Sequence, residues 1–156
     1  MAYIQRELQP QSLSETPPKA IVIFGARQIG KTTLLTELAK TESSVRWFNG
    51  DSLESQNQLK FNSTTDVELT LRQADVIVID EAQRIKDIGL ILKQLVDENI
   101  RLNLGKKIFA TGSSSLELAK GVKESAVGRL IHRQMWPLSI SEIANNKSWG
   151  EVCQNI

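Results

Sequence analysis

Short apolar runs alternate with longer, more polar segments along most of the chain. Five of these runs have the length of β-strands: AIVIF (20–24), VRWF (45–48), VIVI (76–79), KIFAT (107–111) and LIHRQMW (130–136). Strands separated by helix-length segments need crossover connections, and such connections give a parallel sheet. The pattern therefore predicts an α/β fold.

The clearest helix is IGLILKQLVDENI, residues 88–100. Its apolar residues recur at i, i+3, i+4, i+7 and i+8, which places them on one helical face. They are Ile88, Ile91, Leu92, Leu95 and Val96. We expect this face to pack against the sheet. Residues 51–73 are polar with weaker periodicity, so the pattern leaves their helices undefined.

Composition along the chain suggests three regions. Residues 1–19 form a polar, proline-bearing lead-in that we expect to add little to the core, residues 20–144 form the packed domain, and residues 145–156 form a tail. A domain of this size can bury a core without disulfides or metals. We expect Trp47 and Trp136, which lie in apolar runs, to fill that core.

The overall composition is typical of a globular domain, with 40% hydrophobic and 24% charged residues. It excludes disordered and collagen-like classes. No apolar run approaches the ~18 to 20 residues that a membrane span needs, and the first residues carry no basic leader. Cys153 is the only cysteine, which agrees with a reducing compartment. We expect a cytoplasmic protein that binds no membrane.

Positive charge is concentrated between residues 101 and 133. This stretch holds seven Lys or Arg residues against two acids, Glu117 and Glu124, although the net charge of the whole chain is only +1. Two interpretations stay open. The stretch is either a solvated face or a surface for polyphosphate or nucleic acid.

The segment GARQIGKTT lies between the first apolar run and the helix-like segment LLTELAK. The spacing of its glycines, lysine and threonine is that of the phosphate-binding P-loop, GxxxxGKT. Glycines let successive backbone N–H groups turn toward a phosphate, and the following helix presents its positive end to the same point. Lys31 is predicted to reach the β- and γ-phosphates, and Thr32 to ligate Mg²⁺. The predicted nucleotide contacts are Gly25, Ala26, Arg27, Gln28, Ile29, Gly30, Lys31, Thr32 and Thr33.

Two acids follow the third apolar run, in VIVIDEAQR. Open α/β sheets bind ligands at the carboxyl ends of their strands, so Asp80 is predicted to hold Mg²⁺ opposite Thr32. Glu81 is predicted to orient and deprotonate a water that attacks the γ-phosphate. Alternatively, both acids only begin the next helix. A glutamate directly after the metal-site aspartate favours water as the acceptor, and therefore hydrolysis.

The fourth apolar run leads into hydroxyl residues, in IFATGSSSLEL. If its strand lies between the first and third strands, Thr111 or Ser113 lies beside the P-loop and can bind the γ-phosphate or the attacking water. Ser114 and Glu117 also have the spacing of a capping box, so helix initiation explains the serines equally well. His132 has no His or Cys partner, and we expect no metal role for it.

Four segments together resemble the AAA_14 domain of predicted AAA-superfamily ATPases from bacteria and archaea: GARQIGKTTLL, VIVIDEAQRI, FATGSSSLEL and AVGRLIHRQMWPLSISEI. The resemblance implies a three-layer P-loop NTPase fold that binds ATP with Mg²⁺, with five parallel strands in the order 5-1-4-3-2 and helices on both faces. It also implies that Ser113 senses the γ-phosphate and that Arg129 senses or stabilises phosphate charge. Members usually continue into a winged-helix-like segment and a restriction-endonuclease-like domain, so we expect an excised fragment or a natural short form.

These observations predict a Mg²⁺-dependent ATPase module that acts as a switch or motor on nucleic acid or on a partner protein. The partner is expected to bind through the basic stretch or through the missing C-terminal domain, and self-association into a homo-oligomer stays open. Two alternatives remain. They are a P-loop phosphotransferase and a nucleotide-binding interaction module with little hydrolysis.

Overall fold

Five strands form one sheet in the computed structural model of the protein, which describes residues 3–8, 18–113, 126 and 128–144. The strands are β1 (Ala20–Phe24), β2 (Val45–Asn49), β3 (Val76–Asp80), β4 (Lys107–Gly112) and β5 (Leu130–Gln134). Their spatial order is β2-β3-β4-β1-β5, and all neighbouring strands are parallel. Read from the other edge the order is 5-1-4-3-2, so the predicted sheet is confirmed.

The described helices are α1 (Lys31–Ala39), α2 (Leu53–Gln58), α3 (Thr64–Arg72), α4 (Ile88–Arg101) and α5 (Ile140–Ala144), with a 3₁₀ turn over Ala82–Arg84. The five apolar residues of the predicted stripe in α4 are all buried. The polar segment left undefined by periodicity contains α2 and α3. Each begins at a serine whose side chain accepts a backbone N–H, and Ser63 forms a capping box with Asp66. Caps therefore define these two helices more clearly than apolar periodicity does.

Apolar residues of the sheet alternate between two cores, one on each face. Along β1, Val22 and Phe24 belong to the core that α3 and α4 complete, whereas Ile21 and Ile23 belong to the core that α1 completes. This alternation follows from the two-residue period of a strand. Helices cover both faces, which confirms the three-layer α/β fold.

In the described part of the N-terminal segment, Arg6 is only 7% exposed and Leu8 packs against the core that α1 completes. The expectation that Trp47 and Trp136 fill the core is wrong, because these side chains are 39% and 71% exposed. Trp47 lies on β2, which has a neighbouring strand on one side only, and Trp136 lies beyond the end of β5. Neither tryptophan is therefore enclosed by the sheet and its helices.

Candidate functional site

The P-loop joins the carboxyl end of β1 to the first turn of α1. Gly30 is the N-cap of α1 and has a left-handed φ of 95°, a conformation that favours glycine. It supplies no side-chain cap, and the first turn of the helix carries no acid. The positive end of the helix is therefore open to an external anion.

Gly25, at the start of the loop, occupies a position that has no room for a side chain. A β-carbon at this position would lie 2.3 Å from Cδ1 of Ile29 and 2.4 Å from the main-chain oxygen of Met135. The N–H of Met135 in turn donates to the carbonyl of Phe24 at 2.7 Å. The loop thus packs directly against the segment that follows β5, and only glycine permits so close an approach.

Lys31 is buried in the loop. Its Nζ donates to the main-chain oxygens of Gly25 at 2.9 Å and Ala26 at 2.6 Å. Burial lowers the pKa of Lys31, and the negative charges of Glu81 and Asp80 oppose this shift. The ammonium group is therefore held by two carbonyls at a place where phosphate oxygens could replace them.

The structure brings Thr32 and Asp80 together. Because β4 lies between β1 and β3, the carboxyl ends of these strands are adjacent, and the Thr32 hydroxyl donates to Oδ2 of Asp80 at 2.8 Å. The Thr111 hydroxyl donates to the other carboxylate oxygen. Such oxygen ligands suit Mg²⁺. In the part of the chain that the structure describes, no group of three or more His, Cys, Asp or Glu could hold a metal. An ion here would complete its coordination with phosphate oxygens and water.

Glu81 directly follows β3 and has a left-handed φ of 49°, which is uncommon for a residue with a side chain. Its N–H donates to Oδ1 of Asp80 at 3.1 Å and to the hydroxyl of Thr111 at 3.2 Å. Its carboxylate accepts a hydrogen bond from Nε2 of Gln83. Gly50 approaches so closely that a β-carbon there would lie 2.1 Å from the Glu81 carbonyl oxygen. The main chain and the side chain of Glu81 are thus both held.

The two remaining candidates from the sequence lie at opposite edges of the sheet. Ser113 directly follows β4 and lies at the carboxyl edge, with the P-loop. Arg129 precedes β5 and lies at the amino edge, where its side chain forms an ion pair with Asp97. Since a five-residue strand spans roughly 15 Å, the structure does not bring Arg129 to the P-loop of its own chain. The alternative capping box of Ser114 and Glu117 lies outside the described residues.

A pocket of about 600 Å³ adjoins the P-loop. Its walls come from the N-terminal segment, the loop, one side of α1 and the segment after β5. The lining residues are Tyr3, Ile4, Arg6, Gln28, Ile29, Gly30, Thr33, Glu37, Lys40 and Leu138. The hydroxyl of Tyr3 is buried and has no hydrogen-bond partner among the described residues. Apolar walls with a few polar groups are typical of small-molecule sites.

Arg6 connects three parts of the protein beside this pocket. Its guanidinium donates to Oε1 of Glu142 in α5 at 2.9 Å and to the carbonyl of Ile29 in the P-loop at 2.7 Å. A third bond reaches the carbonyl of Trp136. Burial alone would raise the pKa of Glu142, but backbone N–H groups and Arg6 bind its charged form and hold the pKa below its usual value. The N-terminal segment is therefore tied to both the loop and α5.

Replacing Arg6 with methionine should destabilise the fold by about 3 kcal/mol, because the buried Glu142 carboxylate loses its partner. Urea unfolding at neutral pH measures this loss. Arg72→Met, which breaks an exposed ion pair with Glu68, should cost under about 1 kcal/mol. The lowered pKa of Glu142 means that its stabilising contribution exists at neutral pH and is lost as the pH falls through the folded-state pKa. The difference in free energy of unfolding between Arg6→Met and the unmodified protein should therefore become smaller in acid. Equal losses of stability in Arg6→Met and Arg72→Met at neutral pH would contradict this account.

Much of the charge in the basic stretch is neutralised within the fold. Four cations of this stretch form ion pairs with described acids: Arg101 with Glu98, Lys106 with Asp75, Lys107 with Glu42 and Arg129 with Asp97. Lys120 and Lys123 lie outside the described residues. For the described part, the pairing favours a solvated face over a nucleic-acid surface.

Curated relatives match most of this chain. An uncharacterized protein of Mycobacterium tuberculosis is 28% identical over 127 residues, which are 81% of this chain and 27% of the relative. An uncharacterized protein of Methanocaldococcus jannaschii is 27% identical over 138 residues, which are 86% of this chain and 30% of the relative. This chain thus spans less than a third of the length of these relatives. None of the described helices combines the length and the apolar character needed for a transmembrane span.

Solved structures share the fold. Domain III of the replication initiation protein DnaA from Thermotoga maritima superposes with a TM-score of 0.57 at 18% identity, covering 85% of this chain and 62% of that one. The replication initiator DnaA bound to AMPPCP and single-stranded DNA superposes with a TM-score of 0.54 at 18% identity, and the match covers 81% of this chain and 43% of that one. A family model described as an AAA domain, AAA_14, matches residues 17–144, most of the chain. With its five parallel strands, its P-loop and this match, the chain belongs to the AAA domain family.

Proposed function

We propose that this protein binds ATP with Mg²⁺ and hydrolyses it, as a module that acts as a switch or motor on a nucleic-acid or protein partner. The observation that carries the proposal is the 2.8 Å contact between Thr32 of the P-loop and Asp80 at the end of β3, with Glu81 beside it. The residues proposed as phosphate-binding loop, metal ligand and base thus lie at one edge of the sheet. The DnaA structure with AMPPCP, an ATP analogue, supports a triphosphate as the ligand of the shared fold.

In the proposed complex the triphosphate lies in the P-loop, where backbone N–H groups of residues 26–33 bind its oxygens. Lys31 exchanges its two carbonyl partners for the β- and γ-phosphates. Thr32 and Asp80 would hold Mg²⁺, which would supply neutralisation of phosphate charge when bound. Ser113, at the same edge of the sheet, is proposed to donate a hydrogen bond to the γ-phosphate.

Glu81 acts as the general base in this proposal. It accepts a proton from a water whose oxygen forms a bond with the γ-phosphorus, while the bond from that phosphorus to the bridging oxygen breaks. The electron pair of the broken bond leaves with ADP, and inorganic phosphate is the second product. Glu81 then returns its proton to solvent, so that the site is ready for another turnover.

The pocket beside the loop is proposed to hold the base and ribose. Its volume of about 600 Å³ lies within the usual range for ligand sites, ~300 to 1,000 Å³. Tyr3, Ile4 and Leu138 supply a ring and apolar walls, and a polar atom of the nucleoside would satisfy the buried hydroxyl of Tyr3. The pocket adjoins Gly30, so a nucleotide can occupy it and the P-loop together.

Arg129 is proposed to act on the nucleotide of a neighbouring copy, because it lies at the amino edge of its own sheet. Assembly would have to release it from Asp97. An arginine that reaches the γ-phosphate in this way contributes ~10³ to 10⁵ in rate. ATPase activity per molecule should then rise with protein concentration.

The release of phosphate from Mg-ATP, measured with and without added acceptors, separates the three candidate functions. Turnover with water alone supports hydrolysis, and strict dependence on an acceptor supports the phosphotransferase. Firm Mg²⁺-dependent binding without turnover supports the interaction module. A folded protein that ignores Mg-ATP at millimolar concentration would contradict all three.

Asp80→Asn should remove the dependence of ATP binding on Mg²⁺. The neutral amide keeps the shape of the side chain but loses the charge that attracts the ion, and we expect a loss of roughly tenfold or more in Mg-ATP affinity. Calorimetric titration at several Mg²⁺ concentrations measures this, with Asp51→Asn, at an exposed position, as the matched control. An unchanged Mg²⁺ response in Asp80→Asn would contradict the metal role.

A further inference from the structure

Gln83 lies in the 3₁₀ turn after β3 and bonds to the carboxylate of Glu81. Its Nε2 donates to Oε2 of Glu81, and this assignment of the amide follows from chemistry, because the reverse orientation would face a carbonyl oxygen toward a carboxylate. Gln83 is therefore the donor of this hydrogen bond and Glu81 the acceptor. The contact orders the side chain of Glu81.

The other end of the same amide is Oε1 of Gln83. This oxygen is buried and accepts no hydrogen bond from the described residues. Buried carbonyl oxygens are rarely left unpaired in folded proteins, so such an atom needs an explanation at the site where it occurs. The Nε2 end of the same amide binds the carboxylate that is proposed to activate water. With nucleotide bound, the site would contain that water, which can donate a hydrogen bond.

Three other contacts fix the main chain of Glu81 but not its carboxylate. Its N–H is bonded to Asp80 and Thr111, and its carbonyl is packed against Gly50. The remaining freedom is rotation of the side chain, and Lys31 lies close enough for its charge to interact with that of Glu81. The bond from Gln83 restricts this rotation.

We propose that Gln83 is a positioning residue for hydrolysis, which holds the Glu81 carboxylate through Nε2 and accepts a hydrogen bond from the attacking water through Oε1. The inference rests on the proposed function, since it needs Glu81 to act as the base. Its role is distinct from nucleotide binding, because Gln83 lies after β3 and outside the P-loop.

Gln83→Met tests this role, because methionine is similar in length and has no amide. We expect kcat to fall roughly 10- to 100-fold, the usual cost of a misplaced catalytic group. The Kd for Mg-AMPPCP and the melting temperature should stay unchanged. Gln83→Glu, which keeps an acceptor but sets a second carboxylate against Glu81, should lose at least as much. Gln73→Met makes the same substitution at an exposed glutamine and should hydrolyse ATP at the unmodified rate.

A second measurement separates positioning from general disruption. If part of the role of Gln83 is to hold Glu81, adding Gln83→Met to Glu81→Gln should slow the residual hydrolysis by a smaller factor than Gln83→Met slows the unmodified protein. Fully additive losses in the double variant, a matching loss of Mg-AMPPCP affinity, or an unmodified rate in Gln83→Met would each overturn the inference while the proposed hydrolysis stands. Absence of turnover in the unmodified protein would overturn both together.

Discussion

Replacing Lys31 with methionine is expected to weaken Mg-ATP binding by roughly 100-fold or more. Two charge-assisted bonds to phosphate, at about 1.5–3 kcal/mol each, would be lost. The fold should remain, because methionine fills a similar volume and burial already disfavours the charged lysine, as its lowered pKa indicates. Calorimetry with Mg-ATP and thermal unfolding of the same sample measure the two effects separately.

Lys86→Met provides the matched control, because Lys86 is exposed and lies beyond the 3₁₀ turn after β3. It should bind Mg-ATP with unchanged affinity. If Lys31→Met binds Mg-ATP as well as the unmodified protein does, the loop is not the phosphate site. If both variants lose affinity equally, the effect of Lys31 reflects the net charge of the protein rather than a contact in the loop.

The fold could be predicted from the sequence because its signals are local. Strand β1 and the first four residues of β3 are continuous apolar runs, as expected for strands covered on both faces. The P-loop is one uninterrupted segment, and the apolar period of α4 places five residues on its buried face. The sheet order came from resemblance to a family, since periodicity does not state which strands are neighbours.

Because these signals are local, they do not predict contacts between distant parts of the chain, and this explains both the wrong expectations and the residues that were missed. Periodicity does not reveal that β2 is an edge strand, so it predicted a buried Trp47. Arg6 bonds to Glu142 across 136 residues and to Ile29 across 23, and nothing in the local sequence signals either contact. Gly50 had a weak signal, because a glycine directly after a strand can mark a close approach of two backbones. Apart from its place after the two acids, nothing in the local sequence indicates the contact of Gln83 with Glu81.

Glu81→Gln is expected to bind Mg-ATP as the unmodified protein does and to hydrolyse it more slowly by roughly 10²- to 10⁴-fold. An amide has the shape of the carboxylate but accepts no proton from water at neutral pH. The bonds from the Glu81 N–H to Asp80 and Thr111 belong to the main chain, so the substitution leaves the metal ligand in place. Binding and turnover should therefore separate in this variant.

Single-turnover phosphate release, beside calorimetry with Mg-ATP, measures both quantities. Glu54→Gln makes the same substitution at an exposed position in α2 and should keep the unmodified rate. Hydrolysis at the unmodified rate in Glu81→Gln would contradict the assignment of the base but not that of the metal site, because Asp80 is tested by its own Mg²⁺ dependence. A loss of binding equal to the loss of turnover would contradict the separation itself, since it would mean that the side chain of Glu81 shapes the nucleotide site rather than activating water.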